Sequence, residues 1–243
     1  MIKSIPKSEK SEKILQVLLT LPTDLSAIED LLNSKEYTSD EISRAGYDYA
    51  DECSRECLDY FDDHYDEKCY SDSVIIPDIL SSNMYQIFEL LLKYGLNPNA
   101  ICDDGLLMSR IADVYNEYLA TDTLALLLEN GGDPDLIVDD ENLFESIDFD
   151  VVFGAIEMDT RRIYDSLILC WLVLLGHGAG KEKMDSIDIF AKRHYECDLP
   201  DFKIEDLKNH RNYYYGISNV AGHGENWSLH IFDKRTTWEV LRL

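Results

Sequence analysis

The sequence predicts a mainly helical protein in which stacked helix pairs are followed by a small C-terminal antiparallel β-sheet. Two observations lead to this fold class. A pattern typical of a helix end recurs in the middle of the 243-residue chain. Near the C-terminus, segments rich in aromatic and β-branched residues alternate with turn-forming residues, which is the pattern of short strands.

The recurring pattern is a leucine-rich helix end, a glycine and a polar turn. Residues 90–99 read Leu-Leu-Leu-Lys-Tyr-Gly-Leu-Asn-Pro-Asn, and residues 126–135, 36 positions later, read Leu-Leu-Leu-Glu-Asn-Gly-Gly-Asp-Pro-Asp. A weaker copy at residues 172–180 reads Leu-Val-Leu-Leu-Gly-His-Gly-Ala-Gly. We expect the leucines to face the core and the glycine to adopt the left-handed conformation that ends a helix. The proline of the first two copies then prevents continuation.

Each copy follows a second apolar segment that is compatible with a helix, at residues 76–82, 106–114 and 143–156. A helix pair that ends in Leu-Leu-x-x-Gly and an Asn/Asp-Pro-Asn/Asp loop resembles the ankyrin repeat over about residues 75–180. The resemblance implies stacked helix pairs that bind other proteins. The sequence departs from the family where Leu-Leu-Met-Ser follows Gly105 in place of Thr-Pro-Leu-His, and the third unit carries an insertion of about eleven residues. A generic helical bundle with glycine-capped helices is the alternative.

Three helices are expected before the repeats, which divides the chain into residues 1–74 (N-terminal helices), 75–185 (repeats) and 186–243 (C-terminal helix and β-meander cap). Residues 1–10 are polar and lysine-rich and are expected to fray. The first helix covers residues 13–20, the second follows the N-cap pair Thr23-Asp24, and the third follows Ser39. The third helix has an apolar stripe with a spacing of three or four residues, formed by Ile42, Ala45, Tyr49, Cys53, Cys57 and Tyr60.

The C-terminal segment is expected to cover the last repeat. The run from Leu167 to Leu175 is apolar all the way round if it is helical, so it must be covered on every side. The end of a repeat array otherwise needs a polar outer face. We therefore expect a cap with a short helix at residues 204–209 and antiparallel strands at 213–220, 227–232 and 237–241.

The charge balance predicts the kind of partner. The chain has 48 acidic and 22 basic residues, with a net charge of −26. Nucleic acids and anionic membranes are themselves negative and are therefore disfavoured, whereas a basic protein is favoured. The six scattered cysteines are typical of reduced thiols and predict a cytoplasmic location, and the longest apolar run is far shorter than the about 20 residues of a membrane span. The chain is expected to be monomeric.

Three groups of residues have side chains suited to a chemical site, and the sequence favours a structural role for each. Cys53, Cys57, His64 and Cys69 have the residue types of a zinc site, but their spacing matches no recurrent zinc motif. The acidic segment 133–145 lacks the glycine of a calcium loop. His177 and His223 lie between glycines but have no nucleophile and orienting group nearby in the sequence. We therefore predict no catalytic residue, no metal and no cofactor, and a protein that is not an enzyme.

The predicted partner-binding residues lie on the loops that follow the repeat helices. They are acidic side chains that would meet a basic surface: Asp103, Asp104, Asp139, Asp140 and Glu141. Divergent ankyrin-like proteins of this size and acidity resemble immunity proteins that neutralise bacterial toxins, which implies an acidic inhibitor of a basic toxin domain. The alternatives are a small hydrolase-like or metal-binding enzyme in the C-terminal sheet region, and a structural, self-assembling repeat protein.

Overall fold

A computed structural model describes residues 4–34, 36–64, 80–102, 105–114, 117–138, 141–143, 161–179, 188–194, 197–198, 203–219 and 227–233. The chain divides into two compact units, Met1–Cys170 and Trp171–Leu243. The boundaries predicted after residues 74 and 185 fall outside the described residues. In its described part the protein is mainly helical, as the sequence predicts.

The first unit is a two-layer arrangement of helix pairs. Its helices are α1 (Glu9–Leu18), α2 (Leu25–Asn33), α3 (Ser39–His64), α4 (Met84–Lys93, after a 3-10 turn at Leu80–Asn83), α5 (Leu107–Ala112) and α6 (Glu117–Glu129). Helix α1 packs on α3 and α3 on α5, while α2 packs on α4 and α4 on α6. Each odd-numbered helix also contacts the even-numbered helix that follows it. The odd-numbered helices therefore form one layer and the even-numbered helices the other.

Helices α1 and α2 begin at side-chain caps that can be read from the sequence. Asp24 accepts hydrogen bonds from the backbone N–H groups of Ser26 and Ala27, which confirms it as the N-cap of α2. The first helix begins earlier than predicted, at Glu9, because Ser8 and Ser11 form a reciprocal capping box. The expectation that residues 1–10 fray is wrong for residues 4–10, since the backbone N–H of Ile5 donates to the carbonyl of Ile101 at 2.8 Å.

Helix α3 lies at the centre of the first unit. Every residue from Ile42 to Ala50 is buried, so this stretch is covered on all sides. The predicted apolar stripe is confirmed at the five of its six positions whose side chains are described, each at most 2% exposed: Ile42, Ala45, Tyr49, Cys53 and Cys57. The buried stretch also contains a charged pair, Arg44 and Asp48.

Helices α4 and α6 end in the same way, as their recurring sequence predicts. At the end of α4, Leu96 N donates to Leu91 O at 2.9 Å and Gly95 N donates to Leu92 O at 3.1 Å. This pair of bonds defines a Schellman motif. The same bonds recur 36 residues later around Gly131, and both glycines have a positive φ, +103° and +96°.

The loops after these two helices also repeat. The carboxamide of Asn97 accepts from the backbone N–H of Asn99, and the carboxylate of Asp133 accepts from that of Asp135, both at 3.0 Å. Each loop leads into a short antiparallel hairpin. Strand β1 (Ile101–Cys102) pairs with β2 (Gly105–Leu106), and β3 (Ile137–Val138) pairs with β4 (Glu141–Asn142), in the same register.

Side chains from one loop hold the backbone of the next. Asn99 donates to the carbonyl of Gly131 at 2.9 Å and accepts from the backbone N–H of Asp133 at 2.7 Å. In the loop that lies 36 residues earlier, the two equivalent backbone groups are bound by serines from α3. Ser39 donates to the carbonyl of Gly95, and Ser43 accepts from the N–H of Asn97 at 2.8 Å. These bonds set the spacing between successive loops.

The second unit contains the last six residues of a helix and a mixed sheet. Helix α7 (Arg161–Gly176) crosses the division between the units. It is followed by strand β5 (Asp188–His194), strand β6 (Cys197–Asp198), a 3-10 segment (Ile204–Asn212), and strands β7 (Tyr213–Asn219) and β8 (Trp227–Asp233). The strand order is β6-β5-β8-β7.

The predicted antiparallel sheet is correct for one pair of strands and wrong for another. Strands β7 and β8 are antiparallel where two strands were predicted, with Tyr213 opposite Asp233. Strand β5 was not predicted, and it pairs with β8 in parallel. The sheet is therefore mixed, because β8 takes a partner on its second edge from a distant part of the chain. The strand predicted at residues 237–241 lies outside the described residues.

Helix α7 is buried where the sequence predicts cover on every side. Each residue from Leu169 to Leu175 is at most 5% exposed. The helix ends in a third Schellman motif, with Ala179 N donating to Leu174 O at 3.0 Å and Gly178 at φ +95°. Within the second unit, the 3-10 segment passes so close that a Cβ on Gly176 would lie 2.6 Å from the backbone nitrogen of Lys208.

Candidate functional site

The N-terminal segment Ser4–Lys7 lies along the outer edge of strand β1. In an antiparallel ladder, alternate residue pairs exchange hydrogen bonds. Leu107 N donates to Ala100 O, so the next residue, Ile101, directs its backbone groups away from β2. The N–H of Ile5 reaches that free carbonyl, and Ile5 forms a parallel bridge with Cys102. The segment thus adds one extended residue to the hairpin.

A buried ion pair on α3 holds this segment in place. The guanidinium of Arg44 donates to both carboxylate oxygens of Asp48 at 3.0–3.1 Å and to the carbonyl of Ile5 at 3.0 Å. The side chains of Arg44 and Asp48 are 1% and 8% exposed. Lys7, which is mostly exposed, approaches Asp48 at 3.7 Å. A basic residue of the N-terminal segment therefore contacts an acidic residue of α3.

Tyr47 connects this pair to α5. The guanidinium groups of Arg44 and Arg110 lie 5.6 and 5.7 Å from the centre of its ring, within the range of cation–π attraction. Arg110 donates to the Tyr47 hydroxyl at 2.9 Å and lies 3.6 Å from carboxylate oxygens of both Asp51 and Asp113. Partial burial opposes its charge, but these partners outweigh burial and raise the pKa of Arg110. Arg44, Tyr47 and Arg110 therefore belong to one network of charged and aromatic side chains that joins α3 to α5.

Four of the five acidic residues predicted to bind a partner lie outside the described residues: Asp103, Asp104, Asp139 and Asp140. The strands on either side of each pair are described, and Cys102 pairs with Gly105 as Val138 pairs with Glu141. The backbone of Glu141 is in β4, but its side chain is not described. The two aspartate pairs therefore occupy equivalent positions in sequence between equivalently paired strands, and their role stays a prediction.

The sequence analysis does not identify Ile137 as a candidate residue. Its exposure differs from that of the equivalent isoleucine in the first hairpin. Ile101 in β1 is 8% exposed, whereas Ile137, its equivalent in β3, is 57% exposed. Large exposed apolar side chains in the described part of the chain are Leu21 and Ile137. The signal that could have found Ile137 is the repeat itself, because it places an isoleucine at the same position of both hairpins.

The cysteines of the predicted zinc alternative have the environment of packed, neutral thiols. Cys53 and Cys57 are buried on α3, and burial raises the pKa of both thiols, to about 11 for Cys57. Zinc binds thiolates, so burial opposes the form that a metal needs. The side chain of His64 and all of Cys69 lie outside the described residues. Within the side chains that are described, no three His, Cys, Asp or Glu residues cluster as metal ligands.

We expect the buried thiols to resist alkylation. Burial raises the pKa of Cys170 to about 12, against the hydrogen-bonding contact with Thr121. At pH 8, a pKa of about 11 lowers the thiolate fraction roughly 200-fold relative to a free cysteine. Iodoacetamide should therefore label Cys53, Cys57 and Cys170 at least 100-fold more slowly in the folded protein than in urea, as read by peptide mass spectrometry. Labelling of Cys57 at the rate of the unfolded chain would contradict this prediction.

The structure describes His177 and part of the aromatic residues of the C-terminal segment. His177 follows the last turn of α7, where its backbone N–H donates to Val173 O and Leu174 O, and His223 lies outside the described residues. Tyr213–Tyr215 belong to β7 and Trp227 to β8, while Trp238 lies outside the described residues. No described helix has the length and apolar character needed to cross a membrane.

Comparison of the chain with protein-family models, with curated proteins and with solved structures finds no match.

Proposed function

We propose that this chain is a non-enzymatic protein-binding module of the ankyrin-like type that binds a basic protein. The observation that carries the proposal is the recurrence, 36 residues apart, of a helix end, an Asx-type turn and a two-stranded hairpin on a two-layer array of helices. Repeat arrays of this kind use their extended surfaces for binding rather than for chemistry. In this proposal the mixed C-terminal sheet region acts as the cap of the array.

The charge distribution supports a basic partner. The net charge of −26 lowers the rate of encounter with nucleic acids and raises it for a positively charged protein surface. The aspartate pairs at 103–104 and 139–140 each lie, in the sequence, between two strands that are paired in the same way, and in this proposal one partner contacts both pairs. The more specific form of the proposal is an inhibitor that covers the basic cleft of a toxin, as immunity proteins do, and a cytoplasmic location accompanies it.

Association kinetics test the role of the charges. The partner is captured from the host organism, and its binding is measured at two salt concentrations. The triple variant Asp139→Asn, Asp140→Asn, Glu141→Gln should associate several-fold more slowly than the native chain, and its rate should depend less on salt. Rim charges mainly accelerate encounter, from roughly 10⁵–10⁶ to as much as about 10⁸ M⁻¹s⁻¹ at low salt.

A matched variant separates position from net charge. Asp30, Glu36 and Glu89 are exposed acidic residues away from the hairpins. Their replacement by Asn, Gln and Gln removes the same three charges and should slow association much less. Equal effects of the two triple variants would show that only total charge matters, and an acidic partner or kinetics indifferent to salt would contradict the proposal.

A further inference from the structure

We propose that the groove formed by the edge of β1, Arg44 and Asp48 is a docking site for an extended segment of the basic partner, and that the chain's own N-terminal segment, Ser4–Lys7, is its displaceable, autoinhibitory occupant. This inference rests on the proposed function and names the place, the mode and the regulation of binding. The partner segment carries an apolar residue followed, two positions later, by Lys or Arg.

The groove binds the backbone of the segment that lies in it. The N–H of Ile5 donates to the carbonyl of Ile101 at 2.8 Å, and the carbonyl of Ile5 accepts from the guanidinium of Arg44 at 3.0 Å. Both bonds involve backbone groups of the occupant, which any extended segment presents. Addition to a strand edge gives affinity through such bonds and specificity through alternate side chains.

The side chains around the groove specify two positions of the occupant. Ile5 is buried beside β1, where it is the bridge partner of the buried Cys102. Two positions later, Lys7 lies 3.7 Å from the carboxylate of Asp48, which is itself bound by Arg44. The groove therefore fits an apolar side chain followed by a cationic one at a spacing of two.

The N-terminal segment is held in a way that permits its displacement. Of the residues Ser4–Lys7, Ile5 alone is buried. Lys7 is 56% exposed, so its contact with Asp48 contributes little to stability. Helix α1 keeps its own start when the segment leaves, because its capping box is formed by Ser8 and Ser11. A segment with so little buried surface opens at a low free energy.

A cavity beside the segment leaves room for a larger occupant. It measures about 220 Å³ and is lined by the segment, by Asp40 at the start of α3 and by the loop after α4. The native segment does not fill this volume, so a partner residue larger than Ser4 or Pro6 gains contacts there. The carboxylates of Asp40 and Asp48 favour a basic occupant over an acidic one.

A reversible disulfide tests displacement in the full chain. Ile5 and Cys102 are bridge partners, and paired strands lie about 4.8 Å apart, within the range of Cα separations that a disulfide accepts. Oxidation of the variant Ile5→Cys should therefore lock the segment in the groove. The oxidised chain should bind the captured partner at least about tenfold more weakly than the reduced chain, because the competent state is no longer accessible, and reduction should restore binding.

The native chain taken through the same oxidation is the control and should keep its affinity. Peptide mass spectrometry verifies the bond between positions 5 and 102, and a melting temperature no lower than that of the reduced variant shows that the locked chain is folded. Equal partner affinities of the oxidised and reduced variant would overturn the proposal.

A charge reversal changes the equilibrium in the opposite direction. Lys7→Glu places a second carboxylate beside Asp48, so the groove is open in more of the molecules and the partner should bind several-fold more tightly. Lys13→Glu makes the same change of net charge at an exposed position of α1 and should have a much smaller effect. Equal gains in the two variants would mean that only net charge matters, and would overturn the proposal.

A peptide probe tests the groove without the partner. The peptide comprises residues 1–10, Met-Ile-Lys-Ser-Ile-Pro-Lys-Ser-Glu-Lys, and the full chain carries Ile5→Ser and Lys7→Glu, which weaken the competing tethered segment. Added peptide should shift the Ile101 methyl signal in NMR, and Ile5→Ser in the peptide should weaken binding about tenfold. No shift of the Ile101 signal at millimolar peptide would overturn the proposal.

Three outcomes separate this inference from the proposed function. If the captured partner responds to the acidic triple variant but ignores oxidation of Ile5→Cys, the function stands and the docking groove is wrong. If oxidation prevents binding while the kinetics ignore salt, the groove stands and the role of the charges is wrong. A dimer in sedimentation analysis that disappears both in oxidised Ile5→Cys and in Lys7→Glu would identify the occupant as the N-terminal segment of a second copy, and would overturn the basic partner.

Discussion

Replacement of Arg44 by Met should destabilise the first unit by about 3–5 kcal/mol, the cost typical of leaving one member of a buried ion pair without its partner. The guanidinium of Arg44 makes three hydrogen bonds to Asp48 and one to the carbonyl of Ile5. Without it, the partner that the carboxylate of Asp48 keeps among the described residues is the exposed Lys7 at 3.7 Å. The variant also loses the bond that ties the N-terminal segment to α3.

The double variant Arg44→Met, Asp48→Leu is the control for this prediction. It removes both charges from a site where they are 1% and 8% exposed, and apolar pairs of similar volume often replace buried ion pairs without loss of stability. We expect it to lie within about 1 kcal/mol of the native chain. Unfolding in urea is followed by circular dichroism at 222 nm, because all three tryptophans, Trp171, Trp227 and Trp238, belong to the second unit.

The comparison of single and double variants decides the interpretation. A single variant as stable as the native chain would mean that Asp48 finds compensation elsewhere, and the description of the pair as the anchor of the N-terminal segment would be wrong. If the double variant is as unstable as the single one, the hydrogen bond to Ile5, rather than the isolated charge, is what the structure needs at this position.

Local features of the fold could be predicted because each depends on neighbouring residues. The glycine that ends α4 needs only the preceding leucines and the left-handed conformation that glycine adopts readily, and Gly95 and Gly131 both show it. The N-cap of α2 is a single side chain, Asp24. The buried stripe of α3 follows from helical spacing alone.

Features that depend on distant segments could not be predicted. Asn99 bridges two loops through hydrogen bonds to Gly131 and Asp133. Predicting these bonds would require knowing the distance between successive repeats. The N-terminal segment looked polar because Ile5 is surrounded by lysines and serines, yet its partner is Ile101. Strand β5 pairs in parallel with β8 across about 40 residues of sequence, and pairing at such separation has no local signature.

Some residues of the candidate site could likewise be predicted from the local sequence and others could not. The acidic pairs were recognised from composition and from their position after the repeated turns, and their side chains lie outside the described residues. The repeat places an isoleucine at both 101 and 137, but the exposure of a single isoleucine has no signature in the sequence. The difference between 8% and 57% exposure is visible only in the structure.

Removal of the chain after residue 180 should expose α7 and cause aggregation. Residues Trp171–Leu175 are each at most 3% exposed, and within the second unit the 3-10 segment lies against the last turn of this helix, at Gly176. The truncated chain would present a large contiguous apolar surface, which soluble monomers rarely tolerate. Size-exclusion chromatography with light scattering measures the result, and a soluble monomer with native helicity would contradict it.

A point variant tests the same packing in the full chain. Alanine is normally about 1 kcal/mol more favourable than glycine inside a helix, so Gly176→Ala would stabilise an uncrowded helix end. Here the added Cβ would lie 2.6 Å from Lys208 N and 2.8 Å from the carbonyl carbon of Leu207. These are backbone atoms, so the 3-10 segment must shift, and overpacking of this kind typically costs about 1–3 kcal/mol. The sign of the change therefore decides: a destabilised variant in urea unfolding, read by tryptophan fluorescence, is expected if the 3-10 segment packs on α7, and a stabilised variant would show that it does not.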